Sequence, residues 1–92
     1  MQGKSLSEFI DSLYFNPEME IEYLDKRFLI SGYRDDDNSC VLRVDAITAS
    51  SERIFFAKNI DIQKCVEAFE KSILFDGHTI YEAHDKITVL YG

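Results

Sequence analysis

The sequence predicts an α+β fold, with one antiparallel sheet of five to six strands and two helices on one of its faces. Three observations predict it. Apolar residues recur at helical spacing in two stretches, 6–14 and 62–73. Elsewhere they alternate with polar residues at the period of a half-buried strand. The segments between are short, which favours antiparallel neighbours over crossovers. The predicted order is α-β-β-β-β-α-β-β, in a single domain covering residues 1–92, since so short a chain has no room for a second core.

Ser5-Leu6-Ser7-Glu8 has the spacing of a capping box, and Leu6, Phe9, Ile10, Leu13 and Tyr14 follow on one helical face. Asn16-Pro17 stops this helix, because the residue before a proline is driven out of the helical region. Met19 to Leu24 is then a strand, with strict alternation over Glu18-Met19-Glu20-Ile21-Glu22-Tyr23. Asp25-Lys26 is a two-residue turn into a second strand, 27–34, or the chain runs as one bent strand through 19–34. Asp35-Asp36-Asp37-Asn38-Ser39 is a loop by composition. Residues 40–48 alternate again, with Cys40, Leu42, Val44 and Ala46 on one side, and a turn at 49–52 leads into a strand over 53–58.

Asp61 caps the second helix, whose buried stripe is Ile62, Cys65, Val66, Phe69 and Ile73, and Gly77 sits where its exit needs a positive φ. Residues 79–83 and 86–91 read as a last hairpin about His84-Asp85. With both helices on one face, the other face of the sheet carries Val41, Ile47 and Phe55, joined by Leu29, Tyr33 or Tyr81. Such a half-apolar face is a surface for a partner or for a second copy of the chain.

Composition narrows the function. A net charge of −7 and a pI of about 4.6 argue against direct nucleic-acid binding and against docking on an anionic membrane, both of which rest on Lys and Arg. No apolar run approaches a membrane span, and the start Met1-Gln2-Gly3-Lys4-Ser5 has no signal-peptide core, so a cytoplasmic protein is expected. In that compartment Cys40 and Cys65 are reduced thiols, both on apolar faces.

The charge is uneven. The first 25 residues hold six acids (Glu8, Asp11, Glu18, Glu20, Glu22, Asp25) against one base, Lys4. Glu18, Glu20 and Glu22 fall on one face of the first strand, about 6.6–6.8 Å apart. Like charges so placed repel, and glutamate is a poor strand former, so stability gives little reason for the row. A positively charged partner gives one. The opposing account is an edge strand whose charges face water and block unwanted pairing.

Catalytic and metal sites are not expected. The Asp35–Ser39 loop opens like a calcium-binding loop, but its sixth and twelfth positions hold Cys40 and Ala46 in place of Gly and Glu. His78, Glu82 and His84 share a face if residues 79–83 are extended, a spacing that permits chelation, with Asp85 beside them, yet no third His or Cys pair completes the set. The four glycines are isolated, so no phosphate loop exists, and Gly32 reads as a bulge or a close packing contact. The expectation is a non-enzymatic module without metal or cofactor.

Phosphates along one DNA strand rise about 3.4 Å per step, so every second one matches the carboxylate repeat of a strand. In size, acidity and helix–strands–helix order the chain resembles some small acidic anti-CRISPR proteins, which block the basic DNA-entry and motif-reading site of an RNA-guided nuclease. Element order carries the resemblance over most of the chain; the last hairpin lies outside it. The resemblance implies that Glu18, Glu20 and Glu22, with Asp35, Asp36 and Asp37, face arginines that otherwise bind DNA. Immunity proteins and antitoxins against basic nuclease toxins are an alternative of the same physical kind. A homodimeric accessory protein, joined through Val41, Ile47 and Phe55, is a third.

Overall fold

A computed structural model describes all residues, Met1–Gly92. Helix α1 (Leu6–Phe15) begins at the predicted capping box: the Glu8 amide donates to Ser5 Oγ at 3.1 Å and the Ser5 amide to Glu8 Oε1 at 3.0 Å. It buries Phe9 and Leu13 completely. After Pro17 come β1 (Met19–Tyr23) and β2 (Lys26–Arg34), paired so that Tyr23 faces Lys26. The chain is therefore a hairpin here, with Leu24-Asp25 as its turn. Leu24 holds φ at +54°, a conformation that a bulky residue adopts at a cost.

Strands β3 (Cys40–Ile47) and β4 (Glu52–Asn59) continue the meander, and the sheet order is β4-β3-β2-β1-β5, antiparallel throughout. Helix α2 (Ile62–Lys71) starts at Asp61, whose carboxylate accepts from the Gln63 amide at 3.0 Å. It crosses behind β3 and β4 and packs on α1. β5 (Ile87–Tyr91) closes the far edge beside β1.

The last third departs from the expected hairpin. Residues 80–83 form a one-turn helix, α3 (Ile80–Ala83), continued by a 3-10 turn over His84–Lys86, so the sheet has five strands. The cause is local. Thr79 and Glu82 repeat the capping box of α1: the Thr79 amide donates to Glu82 Oε1 at 2.8 Å, and the Glu82 amide donates to Thr79 Oγ1 at 3.4 Å. Helix α2 also ends earlier than its apolar stripe suggests, which leaves Ile73 exposed. Gly77, at φ +82°, belongs instead to an Asp76-Gly77 turn in which both residues take positive φ, the chemistry that a tight two-residue turn requires.

The core is one cluster on the helix-covered face of the sheet. Phe69 of α2 lies 6.1 Å from Phe9 and edge-on to Phe55 at 5.9 Å, while Phe75 packs on Tyr23 at 5.6 Å and edge-on to Phe28 at 5.4 Å. Gly32 is a packing contact. It lies on the helix-facing side of β2, where an added Cβ would sit 2.3 Å from Cγ of Pro17, so only glycine lets the α1–β1 connection cross the sheet there.

Candidate protein-binding face

Strand register lays out the uncovered face as rows. Arg53, Asp45, Leu29, Glu20 and Tyr91 lie in one row, running from β4 to β5. A second row holds Ile47, Arg27, Glu22 and Thr88, from β3 to β5. Phe56, Arg43 and Ser31 make a third, and Lys58, Val41 and Tyr33 a fourth. Glu18, just before β1, continues the alternation of Glu20 and Glu22.

Three expectations change here. β1 is an interior strand between β2 and β5, so its glutamates do not protect an edge. Phe55 is not on this face. The β3–β4 register slips between Val44 and Asp45, an extra residue enters β4 at Ile54, and Phe55 turns inward onto Phe69. Phe56 is the exposed aromatic in its place, 45% accessible. Val41 and Ile47 do lie on the uncovered face, Val41 buried there among its neighbours and Ile47 at its margin, 39% exposed. Tyr81 is on α3, away from the sheet, with its hydroxyl donating to Glu70.

Most charges on this face are paired in place. Arg27 is shared between Glu20, at 3.5 Å, and Glu22, at 3.7 Å. That answers part of the repulsion in the glutamate row, and it was legible in the sequence only once Arg27 was known to sit opposite Glu22. Arg43 grips Asp45 with two hydrogen bonds, 2.9 and 3.1 Å, and this carboxylate holds the guanidinium above its ordinary pKa. Asp45 is the sole buried charged residue, and the two-pronged pair satisfies it.

Lys58 reaches the β2–β3 loop, 2.9 Å from Asp35 and 3.3 Å from Asp37. Its ammonium hydrogen-bonded to Asp35 lowers that carboxyl's pKa, the Ser39 amide lowers that of Asp37, and both carboxylates raise that of Lys58. Asp36 makes no ion pair. Arg53 makes none either; its guanidinium lies 5.0 Å over the Phe56 ring. The six acids picked from sequence therefore fall in two groups: Glu18, Glu20 and Glu22 along β1, and Asp35–Asp37 beyond the end of β2.

Other candidates resolve into packing. Cys40 and Cys65 are unbridged and buried, with the Cys65 thiol 3.5 Å from the Cys40 carbonyl oxygen and pushed up in pKa by burial. His78 and Glu82 are a surface pair at 3.9 Å across α3, and the helical turn removes the shared strand face on which chelation with His84 depended. No three His, Cys, Asp or Glu side chains converge as metal ligands. On the helix layer Glu70 raises the Tyr81 hydroxyl to about 12. No helix is long and apolar enough to cross a membrane.

Comparison with family models, curated proteins and solved structures finds no match to this chain.

Proposed function

We propose that this protein is a non-enzymatic binding module that engages a basic protein through the β1 side of its uncovered sheet face, in the manner of an inhibitor imitating nucleic-acid charge. The observation that carries the reading is the line of carboxylates on that face. Glu18, Glu20 and Glu22, with Asp35, Asp36 and Asp37 past the end of β2, are six acids. Arg27 and Lys58 offset only two of them, which leaves an excess of four negative charges. Arg27 keeps the glutamate row tolerable to the fold, and Lys58 does the same for the Asp35–Asp37 loop, while carboxylate oxygens stay accessible. A basic groove that holds a nucleic-acid backbone offers a matching charge spacing.

Two kinds of partner fit this chemistry: an RNA-guided nuclease, or a nuclease toxin for which the protein serves as immunity factor. The test is affinity capture from the source cell, followed by competition of the captured protein with DNA and RNA. The reading expects a basic, nucleic-acid-binding protein that DNA or RNA displaces. Capture of an acidic protein, or no displacement by either polymer, contradicts it.

A further inference from the structure

The two flanks of the uncovered face differ in charge: acids line β1, whereas β4 carries the unpaired Arg53 and a Lys58 whose ammonium is already held by Asp35 and Asp37. The β1 column is Glu18, Glu20 and Glu22; the β4 column is Arg53, Phe56 and Lys58, three strands away, or about 14 Å. Between them β2 and β3 present Leu29, Ile47, Tyr33 and Val41 around the closed Arg43–Asp45 pair, with Ser31 and with Arg27, which is held by Glu20 and Glu22. The arrangement has an apolar middle with charged borders, the anatomy of a protein interface. Arg53 and Glu18 are the two charged side chains of the columns that lack an ion-pair partner within the chain.

We propose that a second copy of this chain stacks on this face, sheet against sheet, about a two-fold axis parallel to the strands and lying between β2 and β3. That operation exchanges the β1 and β4 columns, so each copy's glutamates lie opposite the other's unpaired Arg53. The register makes the match specific. Arg53, Asp45, Leu29 and Glu20 occupy one row, so the partner's Arg53 lands over Glu20, one row from Glu22. The contact is isologous, so the match occurs twice.

The 5, 9, 8 and 8 residues of β1, β2, β3 and β4, at about 3.3 Å each and about 4.8 Å between strands, cover roughly 475 Å² per copy, or about 950 Å² in all, near the lower bound for a specific interface. An interface of this size makes a weak dimer, sensitive to salt because its borders are charged. The proposal does not rest on the partner reading above: the dimer needs both columns, a basic partner only the acidic one, and the two compete for Glu20 and Glu22.

Sedimentation across micromolar to about millimolar concentrations tests it, with circular dichroism to confirm that each variant folds. Wild type is expected to dimerise. Glu20→Arg and Arg53→Glu, each alone, should weaken the dimer by about tenfold or more, and the double reversal should regain most of the loss, since it restores opposite charges across the axis. A wild type that stays monomeric at about 1 mM leaves the face to a different protein and overturns the proposal. A dimer indifferent to both single reversals, or a double reversal no tighter than the singles, overturns it as well.

Discussion

Arg27 lies directly opposite Glu22 in the β1–β2 ladder, and its guanidinium is shared between Glu22 at 3.7 Å and Glu20 at 3.5 Å. A single base thus sits within a row of three acids. Arg27 is more than half exposed, so its contribution to stability is small, within about 0.5–1 kcal/mol and less in salt. Its contribution to the field of the face is larger. Arg27→Gln should leave the thermal midpoint nearly unchanged, yet tighten binding to a basic partner at low salt and steepen the salt dependence. Weaker binding would show that Arg27 itself contacts the partner.

The close passage of Pro17 over Gly32 yields a stability prediction. A methyl group at position 32 would meet a proline ring that cannot swing aside, so Gly32→Ala should cost about 1–3 kcal/mol. For a domain of this size each kcal/mol lowers the melting temperature by roughly 4–8 °C. Calorimetry showing an unchanged midpoint would mean that the α1–β1 connection does not pack as described.

The turn between β1 and β2 predicts a gain. Leu24 is exposed and held at φ +54°, so its side chain adds little while its backbone bears strain. Leu24→Gly should stabilise by up to about 1 kcal/mol, the left-handed cost of about 1–2 kcal/mol being partly offset by glycine's entropy. Denaturant midpoints of the two proteins check the sign.

Acid sensitivity should trace to the loop held by Lys58. Asp35 and Asp37 have folded pKa values below their unfolded ones, so their contribution is complete above the ordinary aspartate range. It is lost as pH falls through the lowered folded values. The raised pKa of Lys58 works at the other end: its contribution is complete below the ordinary lysine range and fades as pH rises through the folded value. Stability should therefore hold from pH 7 to about 5 and decline below about 4. Asp35→Asn with Asp37→Asn should flatten part of that decline, measured as denaturant midpoint against pH. An identical acid slope in the variant would contradict the assignment.

How much of this was legible in the sequence depended on range. Ser5 and Glu8 announced α1, strict alternation announced β1 and a looser one β3, because caps and side-chain periods are local. Thr79 and Glu82 carry the same capping signature, but His78, Glu82 and His84 also fall at the period of a strand, so two local patterns compete there and the capping box prevails. In β4 two adjacent phenylalanines hide which faces the core, and the bulge at Ile54 that decides it depends on packing against Phe69. The interior position of β1 is set by β5, more than sixty residues on, and no local pattern announces such a pairing. The acidic row was visible from its spacing; its neutralisation by Arg27 required the register.

The central claim is that the carboxylates along β1 serve a basic partner, and replacing Glu18, Glu20 and Glu22 together with Gln tests it most directly. The change keeps size and strand pattern while removing three charges and freeing Arg27, so the fold should be retained. Binding to the captured partner, measured from low to high ionic strength, should weaken by about tenfold or more at low salt and fall less steeply as salt rises. If the triple variant binds as tightly as wild type at low salt, the acidic row takes no part in recognition and the account is contradicted.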